Sequence, residues 1–431
     1  MQIKCHQMID QKYIACDQGV SLLYALPGEV ISYQKQTKVN VSDVLVKSPF
    51  RTRVVCPIFE RCGGCDYLHI DYNHQVTLKN NYVKDQFEGI EIKDAFIDLK
   101  PSEVPLNYRH KVVLSATIHK KRLKLGLYKD GSKDIVPYLD CHIQDQSLNE
   151  IMKTIEFELN RYKLTAYDID SNQGIIKHVF LRKGYQSKEV LVCFVTQGHL
   201  FPNHKGIIKQ ILEKHSEVKT VLQNIHRKKT HLVLLDEEKV LYGPGYIYDY
   251  IGTLKFRLSL KSFYQVNPKQ MMVLYQNAMD IAMIKPTDTV MDCYSGIGTL
   301  SLLLSQKAKK VVAVEINQKA HKDALFNMRA NQIQNVTFIN EDVEETIKTY
   351  QEKIDCLVLD PTREGASKAF IDAVLIKKPK RILYISCDPK TQARDVKQLL
   401  KSYEVKTVMP VDMFSQTIHV ESITLLSLKT A

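Results

Sequence analysis

The sequence predicts an α/β protein in which a doubly wound, mostly parallel C-terminal sheet follows a central α+β part and a small N-terminal β-barrel. Three observations predict it. From about residue 268, short apolar runs alternate with stretches of helical spacing. Between about 66 and 250, strand-like and helix-like runs mix without that alternation. The first 50 or so residues are short runs broken by Gly and Pro. The expected domains are residues 1–52, 53–250 and 251–431.

The opening runs are "KYIACDQG", "VSLLYALPGEVISYQ" and "VSDVLVKSPFR", a pattern that suits a small barrel. In the middle, "KVVLSATIHK", "GIIKHVFLRK" and "EVLVCFVTQ" read as strands and "LNEIMKTIEFELNRY" as a helix, giving a largely antiparallel sheet. Pro268 then opens a helix with apolar residues at 271, 274, 275, 278 and 282. Strands follow at "TVMDC", "KVVAVEI", "VTFIN", "IDCLVLD", "RILYISC", "YEVKTVMPVDMF" and "ESITLLSL", most of them separated by helical stretches.

Hydrophobic residues at 44% and charged residues at 25% describe a soluble globular chain. No apolar run is long enough for a transmembrane helix, and the first residues lack the pattern of a secretory signal, so the expected location is the cytoplasm, away from any membrane. The formal charge of +12 favours a polyanionic partner such as nucleic acid. Ten cysteines in such a compartment point to metal or catalysis rather than to disulfides.

In "VMDCYSGIGTLSLLL" a strand reaches Asp292, and Gly296 and Gly298 turn the chain into a helix near Thr299. Glycines there admit a ligand close to the backbone, and the helix start attracts negative charge. Glu315 ends the next strand, 23 residues after Asp292, about where an acidic side chain binds ribose hydroxyls. Asp342 and Asp360 stand past two further strands, and Cys387 ends another. Ligands of such sheets bind outside the carboxyl ends of the strands, where these five residues would gather. The turn lacks the third glycine of a dinucleotide fingerprint, which suits a nucleoside without a pyrophosphate, S-adenosylmethionine (SAM) above all. A thiol at the open end of a buried strand is well placed to react, and Glu421, beside His419 at the start of a strand, is a candidate general base.

Five ordered pieces carry a resemblance: "SFYQVNP" (262–268), "DCYSGIGTLSL" (292–302), "LDPTREG" (359–365), "SCDPKTQARD" (386–395) and "HVES" (419–422). The chain resembles the RNA uracil-C5 methyltransferase family, and within it the bacterial 23S ribosomal RNA m5U enzymes that carry an iron–sulfur cluster. "NYRHKVVL", "GLYKDGSKDIVPYLDC" and "QNIH" extend the likeness through the middle of the chain. The resemblance implies a class I SAM-dependent methyltransferase domain at the C-terminus. It implies Cys387 as the nucleophile that adds to carbon 6 of uracil and Glu421 as the base that removes the proton from carbon 5. It implies SAM contacts from Gln265, Tyr294, Glu315 and Asp360, and Asp342 is expected beside them. The chain departs from the family at Asp388, Thr362 and Ser415, where Asn, Pro and Pro are usual. A charge at Asp388 is expected to raise the thiol pKa and slow attack.

Cys56, Cys62 and Cys65, with the distant Cys141, make a four-thiol set that suits zinc or an iron–sulfur cluster by ligand type. The resemblance implies a 4Fe–4S cluster with a structural or RNA-positioning role. It likens the first 50 residues to a shortened TRAM module, a small RNA-binding barrel. Arg51, Arg53, Arg109, Lys111, Arg182 and Lys183 are candidates for phosphate contacts. The expected partner is 23S ribosomal RNA in a loop or single-stranded region, and the expected state a monomer. The alternatives are a transfer-RNA uridine methyltransferase and a non-catalytic iron–sulfur RNA-binding or ribosome-assembly protein.

Overall fold

A computed structural model of the chain describes residues 1–431 apart from 93, 231, 430 and 431. Five short strands at its start form an antiparallel sheet in the order Ser21–Leu23, Tyr13–Cys16, Gln2–Met8, Val30–Ser32, Val44–Val46. Ile3, Cys5, Ile14, Leu22 and Ile31 pack together on it. The outer strand Ser21–Leu23 is met by the segment before Val44–Val46 through a parallel bridge of Leu23 to Lys38, with the Leu23 amide donating to Thr37 and the Val39 amide to Leu23, both at 3.0 Å.

Next comes helix α1 (Tyr72–Gln86), capped by Asp71, whose carboxylate accepts from the amides of Asn73 and His74. Val83 and Phe87 at its end pack with Ile90, Ile92 and Leu99 into the C-terminal sheet's core, beside Tyr403 and Val408. Single bridges Phe96–Val408 and Lys100–Val411 extend that sheet's edge. This corrects the expected grouping, because residues 72–100 dock on the C-terminal half rather than on the central one.

The central sheet has seven strands, in the order Glu238–Tyr242, Val218–Ile225, Val190–Thr196, Ile176–Lys183, Lys111–His119, Arg122–Tyr128, Ile135–Pro137. Only Val190–Thr196 and Val218–Ile225 run parallel. Helices Gln146–Arg161 and His204–Lys214 bury their apolar faces on it through Leu148, Ile151, Ile155, Ile207 and Ile211. The hairpin Tyr246–Ile251/Leu254–Ser259 follows. The boundary expected at 250 thus falls inside a strand. One apolar cluster continues from Phe180 and Leu191 through Ile247 and Phe256 to Leu274 and Val290.

The C-terminal half alternates as its sequence requires: α2 (Pro268–Ala282), β1 (Thr289–Cys293), α3 (Thr299–Leu304), β2 (Lys310–Val314), α4 (Gln318–Ala330), β3 (Val336–Ile339), α5 (Val343–Thr349), β4 (Cys356–Leu359), α6 (Lys368–Lys377), β5 (Arg381–Ser386), α7 (Pro389–Leu399), β6 (Tyr403–Val411) and β7 (Glu421–Leu428). Strand order is β3-β2-β1-β4-β5-β7-β6, with β1 to β5 parallel and β7 antiparallel to both neighbours. The sheet is buried on both faces, which explains why its strands read as continuous apolar runs. Strand order reverses between β1 and β4, which opens a crevice at their carboxyl ends. Because β7 runs backwards, its first residue lies at that same edge.

Candidate active site

The register of β5 and β7 brings two of the candidate residues together. Ser386 pairs with Ser422, so the next residues outward, Cys387 and Glu421, stand opposite one another. Two buried groups fix the strands here. Gln392 of α7 donates to the carbonyls of Tyr384 (2.8 Å) and Ser422 (3.2 Å), and the Ser422 hydroxyl donates back to Gln392 Oε1. Burial pushes the Glu421 carboxyl up to about 8; the neighbouring Asp360 adds to this and Arg363 opposes it. Burial pushes the Cys387 thiol up to about 11, helped by Glu421 and countered by the Arg363 guanidinium. Asp360 follows β4 and is pushed up to about 7 by desolvation. Three groups whose burial disfavours their charged forms therefore lie beside one cation.

Tyr275 of α2 joins this end to the cofactor crevice. Its hydroxyl is held protonated by burial and by the Asp360, Asp292 and Glu421 carboxylates, and Gln265 works against them. Asp292, 2% exposed, accepts from Ser301 Oγ at 2.5 Å, and its carboxyl is pushed up to about 7 by burial, then by Asp360 and Glu315. Glu315 is oriented by two amides, Gly296 N at 2.9 Å and Asn317 N at 2.6 Å. Tyr294 takes the left-handed conformation (φ 65°), and its hydroxyl is raised by burial and by nearby groups that include Asp342. Asp342 is exposed and caps α5, accepting from Glu344 N at 2.7 Å. Gly298 turns the chain at φ 81°, and a Cβ there would come within 2.7 Å of the Phe338 ring. Gly296 has open space on its side, and the buried Ser295 hydroxyl beside it has no partner in the protein.

The four expected thiols, Cys56, Cys62, Cys65 and Cys141, line one cavity of about 370 Å³. Lys111, Arg109, Phe414, Thr417 and His419 line it too. Burial pushes Cys62 up to about 11, and the neighbouring Cys141 and Cys56 add to it. Among the described residues, no group of three or more His, Cys, Asp or Glu is arranged to hold a metal ion as the side chains stand. His419 lies in the loop before β7, not in the strand, and its ring is 6.2 Å from that of Phe414.

Several expectations need correction. Asp388 caps α7, accepting from the amides of Lys390 (3.0 Å) and Thr391 (3.2 Å); the carboxylates acting on Cys387 are Glu421 and Asp360. Arg51 is spent on Glu29 at 2.5 Å, Arg182 on the carbonyls of Ser259 and Ser262, and Lys183 on Asp145 at 2.9 Å. Among the described residues, Arg53 and Lys111 have no such partner, whereas Arg109 donates to the Lys111 carbonyl at 3.1 Å. Two site residues were missed. Tyr275 reads as one more apolar position of its helix, and Arg363 as a solvated turn cation; its place two residues after a strand-end Asp-Pro was the available signal.

Residues 71–429 match the model of the tRNA (uracil-5-)-methyltransferase family. An uncharacterized RNA methyltransferase of Halalkalibacterium halodurans is 37% identical over 94% of this chain and 91% of its own length. One of Oceanobacillus iheyensis is 39% identical over 89% of this chain and 84% of its own. The Pyrococcus abyssi tRNA (uracil-54, C5)-methyltransferase, solved with S-adenosyl-L-homocysteine, shares the fold at a TM-score of 0.79, with 22% identity over 98% of this chain and 99% of that one. The chain is an enzyme and belongs to the tRNA (uracil-5-)-methyltransferase family.

Proposed function

We propose that the enzyme methylates carbon 5 of one or more uridines of 23S ribosomal RNA, with SAM as methyl donor and Cys387 as covalent nucleophile, acting as a cytoplasmic monomer. The observation that carries this reading is the register of β5 and β7, which sets Cys387 opposite Glu421 with Asp360 and Arg363 beside them.

The crevice at the ends of β1, β2 and β4 fits SAM. Gly296 has open space on its side, the Ser295 hydroxyl awaits a partner, and Glu315 is aimed by two amides. Glu315 would take the ribose hydroxyls, with Gln265, Tyr294, Asp342 and Asp360 around the rest of the molecule. Bound SAM supplies the methyl group. The Cys387 thiolate would add to carbon 6 of the uracil, and carbon 5 becomes nucleophilic and takes the methyl group as the methyl–sulfur bond breaks and S-adenosylhomocysteine leaves. The Glu421 carboxylate then takes the proton from carbon 5. The bond between carbon 6 and sulfur breaks, and its electron pair returns to Cys387. Arg363 favours the thiolate at the first step.

Cys56, Cys62, Cys65 and Cys141 fit a 4Fe–4S cluster by donor type and number, around a cavity with room for more than one ion. Such a cluster would tie the cysteine loop to the central sheet, close to the wall that carries His419, and position RNA. A bulky cationic group there would also reverse the raised thiol pKa values.

The test is methyl transfer from labelled SAM to unmodified 23S and transfer RNA, using anaerobically purified protein beside Cys387→Ala. Label on 23S RNA that the variant loses supports the reading. Label confined to transfer RNA moves the substrate to that class.

A further inference from the structure

The loop 412–420 between β6 and β7 ends on Glu421, and it is clasped by side chains far away in sequence. Asp412 is 1% exposed and Lys79 of α1 fully buried, and they pair at 2.6 Å. Lys79 also donates to the Phe414 carbonyl at 3.0 Å. The other Asp412 oxygen accepts from Tyr72 (2.8 Å) and from Ser415 (2.7 Å). Gln416 exchanges two hydrogen bonds with Gln75, and its carbonyl accepts from the amides of Asp66 and Tyr67, both at 3.0 Å. The clasp therefore reaches the residue next to Cys65.

Burying an ion pair seldom stabilises a fold more than apolar side chains of the same volume would. A better reason for this pair is that it selects one conformation of an irregular loop. Cys387 does not need that loop, because β5 is held by strands on both sides and by Gln392. Glu421 is tied to it more closely, because it follows the loop directly and pairs across the sheet with Val411, the residue before Asp412.

We infer that Asp412, held by Lys79 and Tyr72, is a positioning residue that sets the reach of Glu421 toward the substrate. The inference rests on the proposed role of Glu421 as base. Ser415 thereby acquires a function: its hydroxyl completes the shell of Asp412, a bond that the proline usual in the family cannot donate.

Misplacing a reacting group by about 1 Å costs on the order of 100-fold in rate. Asp412→Asn should slow turnover about 10- to 100-fold, with KM for SAM and RNA within about twofold of wild type. Addition of Cys387 should persist, so the covalent enzyme–RNA species, read on a denaturing gel, should accumulate as it does in Glu421→Gln. The double variant Lys79→Met/Asp412→Asn leaves no uncompensated charge. It should regain much of any lost Tm while still accumulating the adduct. Adduct and turnover falling together, or kinetics recovering with Tm in the double variant, overturns the inference. Trapping by Glu421→Gln without trapping by either Asp412 variant overturns it alone. If Glu421→Gln traps nothing, the role of Glu421 falls, and this inference with it.

Discussion

Cys387 and Glu421 face each other one step beyond the last backbone pair of β5 and β7, and burial first, then the carboxylate, raises the thiol pKa. Burial at strand ends makes both groups reluctant to ionise, and Arg363 is the cation that works against it. Cys387 is thus a thiol at neutral pH.

Replacing Glu421 by Gln removes the negative neighbour and should bring the Cys387 pKa down from about 11. Iodoacetamide alkylation of Cys387, followed against pH by mass spectrometry, should show its midpoint moved to lower pH in Glu421→Gln. An unmoved midpoint means that the carboxylate is not what holds the thiol proton. Methyl transfer should be lost all the same, because no base remains.

Arg363→Gln should act in the opposite sense. The guanidinium lowers both the thiol and the Glu421 carboxyl, so its loss raises both. An opposite charge of this kind is worth about tenfold or more in the ionised fraction at fixed pH. The alkylation midpoint should rise, and kcat/KM for methyl transfer should fall about 10- to 100-fold with its pH profile displaced to alkaline pH. A profile that falls without moving would make Arg363 a substrate contact only.

Which parts of this site are readable in sequence follows from how local their cause is. Cys387, Asp360 and Glu315 announce themselves because each ends an apolar run, and a strand end is a local event. Arg51, Arg182 and Lys183 are misread because a charge is visible in sequence while its partner, Glu29, the Ser259 and Ser262 carbonyls, or Asp145, is supplied by distant chain. The docking of residues 72–100 is hidden for the same reason. Val83 and Phe87 are apolar positions whose destination, beside Tyr403 and Val408, lies more than 300 residues away. Tyr275 fits a helical period as well as any core residue does, and only the convergence of three carboxylates on its hydroxyl gives it another meaning.

Glu421 also predicts how stability varies with pH. Its folded pKa of about 8 lies above the ordinary value of 4.5, so between these limits the native state keeps a proton that the unfolded state has lost. Stability therefore falls as pH rises from 4.5 toward 8 and is then level. Gln cannot ionise and escapes this loss. The Tm of Glu421→Gln should match wild type near pH 4.5 and exceed it increasingly up to pH 8, by an amount on the order of a few kcal/mol in unfolding free energy. A constant gap across that range would place the carboxyl in water.

Gly298 predicts a loss confined to the cofactor crevice. Alanine there meets two obstacles, a φ of 81° and the Phe338 ring 2.7 Å from the new Cβ. At Gly296 the conformation is also left-handed, at φ 57°, but no atom lies within 4 Å. Left-handed backbone costs about 1 kcal/mol for alanine at either site. The difference between the two variants therefore isolates the push on Phe338, which shifts the turn between β1 and α3. Gly298→Ala should weaken SAM binding by about tenfold more than Gly296→Ala does, measured by calorimetry, with alkylation of Cys387 unchanged in both. If Gly296→Ala is the more damaging, the bound molecule occupies the open side of that glycine, and the contact there outweighs the strain at Phe338.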